Sequence, residues 1–160
     1  MVSSPALPWS HIAVRALVAG AVGGAFLEAY VWATALASTH ASITAYWQWI
    51  ASTVLGKTAL TNPAFAWAGL AIHFGVSAGW AGGYAYLAST RDFLNRRWPI
   101  SGIVYGAVVY FLMQIVLLAD QSFVLPANPA AVVVALAGHC LFYGLPLAYA
   151  VRALSGADAG

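Results

Sequence analysis

Charge is what this sequence has least of. Six Lys or Arg and four Asp or Glu are spread over 160 residues, only 6% of the chain. A soluble domain carries about 25%. A surface so poor in charge would not stay dispersed in water, so a soluble globular protein is excluded. The net charge of +2 comes without a basic run, which argues against a nucleic-acid partner. Cys140 is the single cysteine, so no internal disulfide framework exists. There is no strand-turn-helix nucleophile elbow, phosphate loop, HExxH or CxxC. Hydrolase, kinase and soluble-cofactor oxidoreductase chemistry therefore have no support, and nothing points to an enzyme.

What is present is apolar surface. Hydrophobic residues make up 62% of the chain and the mean hydropathy is +0.83. Four long apolar runs predict an all-α, multi-pass membrane protein. The expected fold is a single membrane domain, 1–160: an antiparallel bundle of four transmembrane helices over about 13–37, 64–89, 100–119 and 130–154. Between the first two lies an outer amphipathic segment, about 43–55. There Ile43, Tyr46, Trp47, Ile50 and Val54 recur at helical spacing, with Tyr46, Trp47 and Trp49 suited to the headgroup level. A cleaved signal peptide ending near Ala35-Leu36-Ala37 is the rival reading of the first run. Glu28 interrupts that run, which favours a retained helix. Residues 1–12 read as a tail, and 120–129 as a turn with two prolines. Pro146 should kink the last helix by removing the bond to the Phe142 carbonyl.

Orientation follows from the cations. Arg15, Arg91, Arg96, Arg97 and Arg152 fall at the ends that four antiparallel crossings put on one side, and Lys57 falls on the other. The positive-inside rule then puts both termini in the cytoplasm. The Arg91, Arg96 and Arg97 cluster is a topology signal, with anionic lipid as a secondary attraction. Gly20 and Gly24, then Gly79, Gly82 and Gly83, form small-residue faces that let other helices approach.

The runs also carry polar residues at matching depth. Glu28 lies about nine residues from the outer end of the first helix, and His73 and His139 about nine residues into the second and fourth. Nine residues is roughly 13 Å of helix. Tyr110 and Gln114 reach a similar level in the third. Ionisable groups at such depth cost about 2.5–3.5 kcal/mol each on insertion scales, so they should turn inward and pair. His73, Ser77, Trp80 and Tyr84 share one helix face.

Four uses of that layer are open. It is a satisfied network fixing helix register, with Glu28 accepting from one histidine and Gln114 or Tyr110 serving the other. It is a transition-metal site on Glu28, His73 and His139, with Cys140 or Met113 adding sulfur for copper. It is a haem site with His73 and His139 as axial ligands. Or it is a proton-binding site, though no second set of ionisable groups continues it through the inner half. Two function classes result. One is a non-catalytic membrane subunit packed against other membrane helices, either its own copies or a larger complex. The other is a metal-, haem- or proton-binding or transport protein.

A carboxylate late in the first helix (Glu28), an aromatic amphipathic segment, His73-Phe74-Gly75-Val76-Ser77, Gly83-Tyr84, Gly138-His139 and a closing Arg152 follow one another over residues 15–152. This layout resembles the uncharacterised YagU-type family of bacterial inner-membrane proteins. The chain departs from that pattern in having Tyr110 and Gln114 but no histidine in the third helix, and no proline-rich stretch after the first. The resemblance implies a multi-pass inner-membrane protein and no known activity.

Overall fold

A computed structural model describes residues 8–36, 42–119 and 129–157. The expected turn at 120–129 falls, but for Pro129, outside these residues. All regular structure among the described residues is helical. Helix α1 spans Trp9–Val31 and runs on into a π-turn, Trp32–Leu36. It starts earlier than the apolar period indicates, because Pro8 opens it: the N–H groups of His11 and Ile12 both reach the Pro8 carbonyl. Helix α2 is the amphipathic segment, Ile43–Leu55, with the Ser42 hydroxyl accepting from the Ala45 N–H at 3.1 Å. Gly56, at φ 79°, turns the chain into a 3-10 segment, Lys57–Leu60. Gln48 fastens that segment, donating to the carbonyls of Ala59 and Leu60.

Helix α3 spans Phe65–Thr90, α4 is a short piece at Asp92–Arg96, and α5 spans Trp98–Ala119. Pro99 sits in the first turn of α5, where a missing N–H costs nothing. Helix α6, Pro129–Ala137, passes through a π-segment, Gly138–Gly144, into α7, Leu145–Ala157. This wide segment stands where a kink at Pro146 is expected. Pro146 offers no N–H to the helix, and one residue before it the Leu145 N–H reaches back to Cys140, five residues away.

Among the described residues three helical stretches are long and apolar enough to cross a membrane: Trp9–Thr34, Trp98–Leu117 and Pro129–Gly156. Helix α3 matches them in length but is less apolar, being diluted by His73, Ser77, two tryptophans and several glycines. The chain is therefore a membrane-type helical protein with three candidate spans, and α3 packs chiefly against α1 and α2. Side chains such as Leu17, Phe111, Ile115 and Val133 are more than half exposed on the outer faces, as lipid contact requires.

Glycines set how closely the helices approach. A methyl on Gly20 would come within 2.5 Å of the Ala78 Cα, which joins α1 to α3. On α5, Gly102 and Gly106 meet the backbone of Gly144 and of His139 in the π-segment. Gly69 lies under the Trp47 carbonyl, so α2 packs onto the start of α3. Trp47 is accordingly buried, whereas Trp49 is exposed; only the latter suits the headgroup level. The glycine face at Gly79, Gly82 and Gly83 is not used for close packing. Nothing lies within 4 Å of a methyl added at Gly79, and Gly82 and Gly83 meet only side-chain atoms at 3.4 and 3.2 Å.

Candidate functional site

Three helices converge on Glu28. It sits near the end of α1, 6% exposed. Helix α3 runs antiparallel to α1 and brings His73 Nε2 to 3.6 Å from Glu28 Oε2. Helix α2, laid across the outer end, brings the Tyr46 hydroxyl to 3.4 Å from the same oxygen. The first distance suits an ion pair but is too long for a hydrogen bond. The nearest acceptor of His73 Nε2 is instead the Gly24 carbonyl at 3.3 Å. The Trp32 indole also approaches the carboxyl group, but the other oxygen, Glu28 Oε1, is buried and among the described residues has no hydrogen-bond partner within bonding geometry. Buried carboxyl oxygens are ordinarily matched, so this orphan marks the place as unusual.

The Tyr46 phenol belongs to the interfacial helix. Burial, with the neighbouring Glu28 carboxylate, holds its ionisation well above the usual value of 10. Helical spacing alone puts Tyr46 in the aromatic belt. Its role as a cap on Glu28 depends on how α2 folds back, which periodicity does not carry.

His139 is on the opposite wall. Its Nδ1 is 2.9 Å from the Ala135 carbonyl one turn back. The Tyr110 ring stands edge-on to it, centroids 5.2 Å apart. His139 is thus held by its own helix, not by Gln114 or by a Tyr110 hydroxyl bond as the satisfied-network reading expects. Gln114 is half-buried on α5 and, among the described residues, hydrogen-bonds to none of Glu28, His73 and His139.

His73 and His139 nonetheless face one partly open cavity of about 100 Å³ between the helices. Ser77, Trp80, Met113 and Tyr143 line it too, with Leu27, Val76 and Val109 as its apolar walls. Its polar walls are firmly set. The Ser77 hydroxyl donates to the Gly20 carbonyl at 2.8 Å, and the Tyr143 hydroxyl to the Ser77 carbonyl at 2.9 Å. The Trp80 indole N–H points at Met113 Sδ, 3.4 Å away, and fixes the thioether.

A carbonyl can only accept, so Nε2 of His73 and Nδ1 of His139 each carry the proton. Each ring then keeps one unprotonated nitrogen, Nδ1 and Nε2 respectively. Metal-ligating histidines are commonly held this way, through an outer N–H given to a carbonyl or carboxylate. The lining set is two imidazoles and one thioether, with Glu28 behind one imidazole.

The expected ligand set fits in part. Among the described residues no three His, Cys, Asp or Glu side chains converge at metal-binding distance. Glu28, His73 and His139 therefore do not form one shell, and Glu28 is an outer partner of His73. The thioether of Met113 takes the third place at the cavity. Cys140 follows His139 in the chain but does not line it. Haem does not fit: ligand sites of drug size run to about 300–1,000 Å³, and this cavity is far smaller. No protein-family model, curated protein or solved structure matches the chain.

Proposed function

We propose that this chain is a non-catalytic, four-helix membrane protein of the bacterial inner membrane, with α3 as its fourth crossing. Its cavity holds a soft metal ion, monovalent copper, between His73, His139 and Met113. The observation that carries this is the pairing at the cavity: two histidines, each with one nitrogen committed outward and one left basic, beside a fixed thioether. Thioether and imidazole together suit copper better than zinc or magnesium. Exposure of Arg91, Arg96, Arg97 and Arg152 at one end, with Lys57 at the other, supports cytoplasmic termini. The likeness to YagU-type proteins is part of the same proposal. Assembly with its own copies or with a larger complex is compatible with the exposed apolar faces, but lipid covers such faces equally well.

The test is anaerobic loading of the detergent-purified protein with Cu(I), followed by metal analysis. About one copper per chain is expected for the natural protein. Less than a tenth of that is expected for His73→Ala, His139→Ala and Met113→Leu, each checked for unchanged helicity. Copper retained by all three variants would sink the metal reading.

A second reading has its own support in the orphan oxygen. A carboxylic acid at Glu28 could carry a proton on Oε1, making the Glu28–His73 pair a proton-binding site inside the bilayer. Infrared difference spectra between pH 5 and 9 should then show a protonated-carboxyl band that Glu28→Gln removes. Spectra that are the same for both proteins would rule it out.

A further inference from the structure

At the arginine-rich end of the bundle lies a second, larger hollow. It holds about 320 Å³ between the end of α3, the short α4 and the start of α5. Leu87, Phe93, Ile100, Val104 and Val108 form its walls and are each 44–60% exposed there. Three hydroxyls border it, and all are engaged elsewhere. Tyr84 and Ser101 are 2.8 Å apart, and Ser101 donates to the Leu94 carbonyl at 2.9 Å. Tyr105 donates to the Trp80 carbonyl at 2.6 Å. The hollow therefore offers a guest almost nothing but carbon. Its one charged lining residue is Arg97. Among the described residues Arg97 has no acidic side chain within ion-pair distance. Arg91 and Arg96 are exposed on the same connection, with Asp92 the one acid among them.

A carbon-lined crevice, open sideways and rimmed by a free guanidinium, matches one class of molecule: an apolar chain with an anionic head. We propose that this crevice is a binding site for an anionic phospholipid. One acyl chain lies against Leu87, Val104 and Val108, and the phosphate is met by Arg97. Guanidinium suits phosphate because its planar fork can give two parallel N–H bonds. Arg91 and Arg96 add attraction at longer range. A soluble phosphate would gain the fork but leave the walls bare. A zwitterionic lipid would gain the walls, but its own cation would offset the attraction.

Native mass spectrometry of the delipidated full chain, titrated with phosphatidylglycerol or phosphatidylcholine, tests this. The site should prefer the anionic lipid on the order of fivefold, the factor that one cation near a membrane surface provides. Arg97→Gln should remove most of the preference, leaving only the weaker long-range pull of Arg91 and Arg96. Val104→Trp should fill the crevice and weaken both lipids, while Gly79→Ala, remote from it, should change neither. Glycerol phosphate, which lacks acyl chains, should not compete. Equal retention of the two lipids, a preference undiminished by Arg97→Gln, competition by glycerol phosphate alone, or a second copy of the chain displacing the lipid would each overturn the proposal. Circular dichroism of each variant separates lost binding from lost fold.

Discussion

One face of α3 runs through two kinds of polar ground. At the arginine-rich end Tyr84, Ser101 and Tyr105 form a hydroxyl network in which every O–H finds an oxygen at 2.6–2.9 Å. At the outer end the same face carries His73, which lies 3.3 Å from the Gly24 carbonyl and 3.6 Å from Glu28, and one carboxyl oxygen of Glu28 has no hydrogen-bond partner among the described residues. The first is closed and neutral, and it fixes the register of α3 against α5. The second carries two imidazoles and a carboxyl group and is incomplete. Depth alone does not separate register-fixing polar residues from a site. Matched hydroxyls leave no polar group free for a guest, only apolar walls, whereas imidazoles around a small cavity do leave one.

The contrast can be broken or sharpened by substitution. The largest effect should come from the frame both ends share. Gly144→Val would drive a side chain into the Gly102 backbone and separate α5 from the π-segment. Overpacking costs about 1–3 kcal/mol or more, so thermal unfolding in detergent should fall by about 5–10 °C, with loss at both ends. Next is Glu28→Gln, which keeps shape but removes the outer partner's charge. Copper affinity should drop about 10–100-fold, the usual effect of losing an outer-shell partner, while the arginine-rich end is untouched.

Tyr105→Phe is the mirror experiment. Losing the bond to the Trp80 carbonyl should cost about 0.5–1.5 kcal/mol with copper binding unchanged, as read by unfolding and metal titration. Tyr46 gives a smaller, pH-dependent effect. Its phenol ionises less readily folded than unfolded, so the stability it adds is complete below pH 10. That stability is lost as pH rises further, when only the unfolded chain releases the proton. Tyr46→Phe should flatten that alkaline decline in unfolding midpoint. Smallest of all is Gly79→Ala, which meets open space and should be neutral or gain up to about 1 kcal/mol from helix propensity.

Much of this was legible from residue order, and the exceptions have physical reasons. Apolar run lengths carry the helices, because a helix in lipid must satisfy its own backbone. Antiparallel packing then brings Glu28 to His73, since both lie about nine residues from the outer end. The partner of His139 was not legible. The ring turns to its own Ala135 carbonyl where the helix widens, and Pro146 signals an interruption without saying that it takes the form of a π-segment. Tyr46 was hidden for another reason: an aromatic on an amphipathic helix reads as belt until the helix is seen to pack on the start of α3, within reach of Glu28. The idle face at Gly79 shows that small residues permit close approach without requiring it. The hydropathy of α3 falls below that of the three candidate spans because glycines and tryptophans dilute it as well as His73 and Ser77.

The most direct test of the account is X-ray absorption of the copper-loaded protein. The cavity predicts Cu(I) with two imidazole nitrogens near 2.0 Å and one sulfur, the sulfur signal disappearing in Met113→Leu. A shell of oxygens, or of nitrogens unchanged by His73→Ala and His139→Ala, would contradict the claim that these residues form a site.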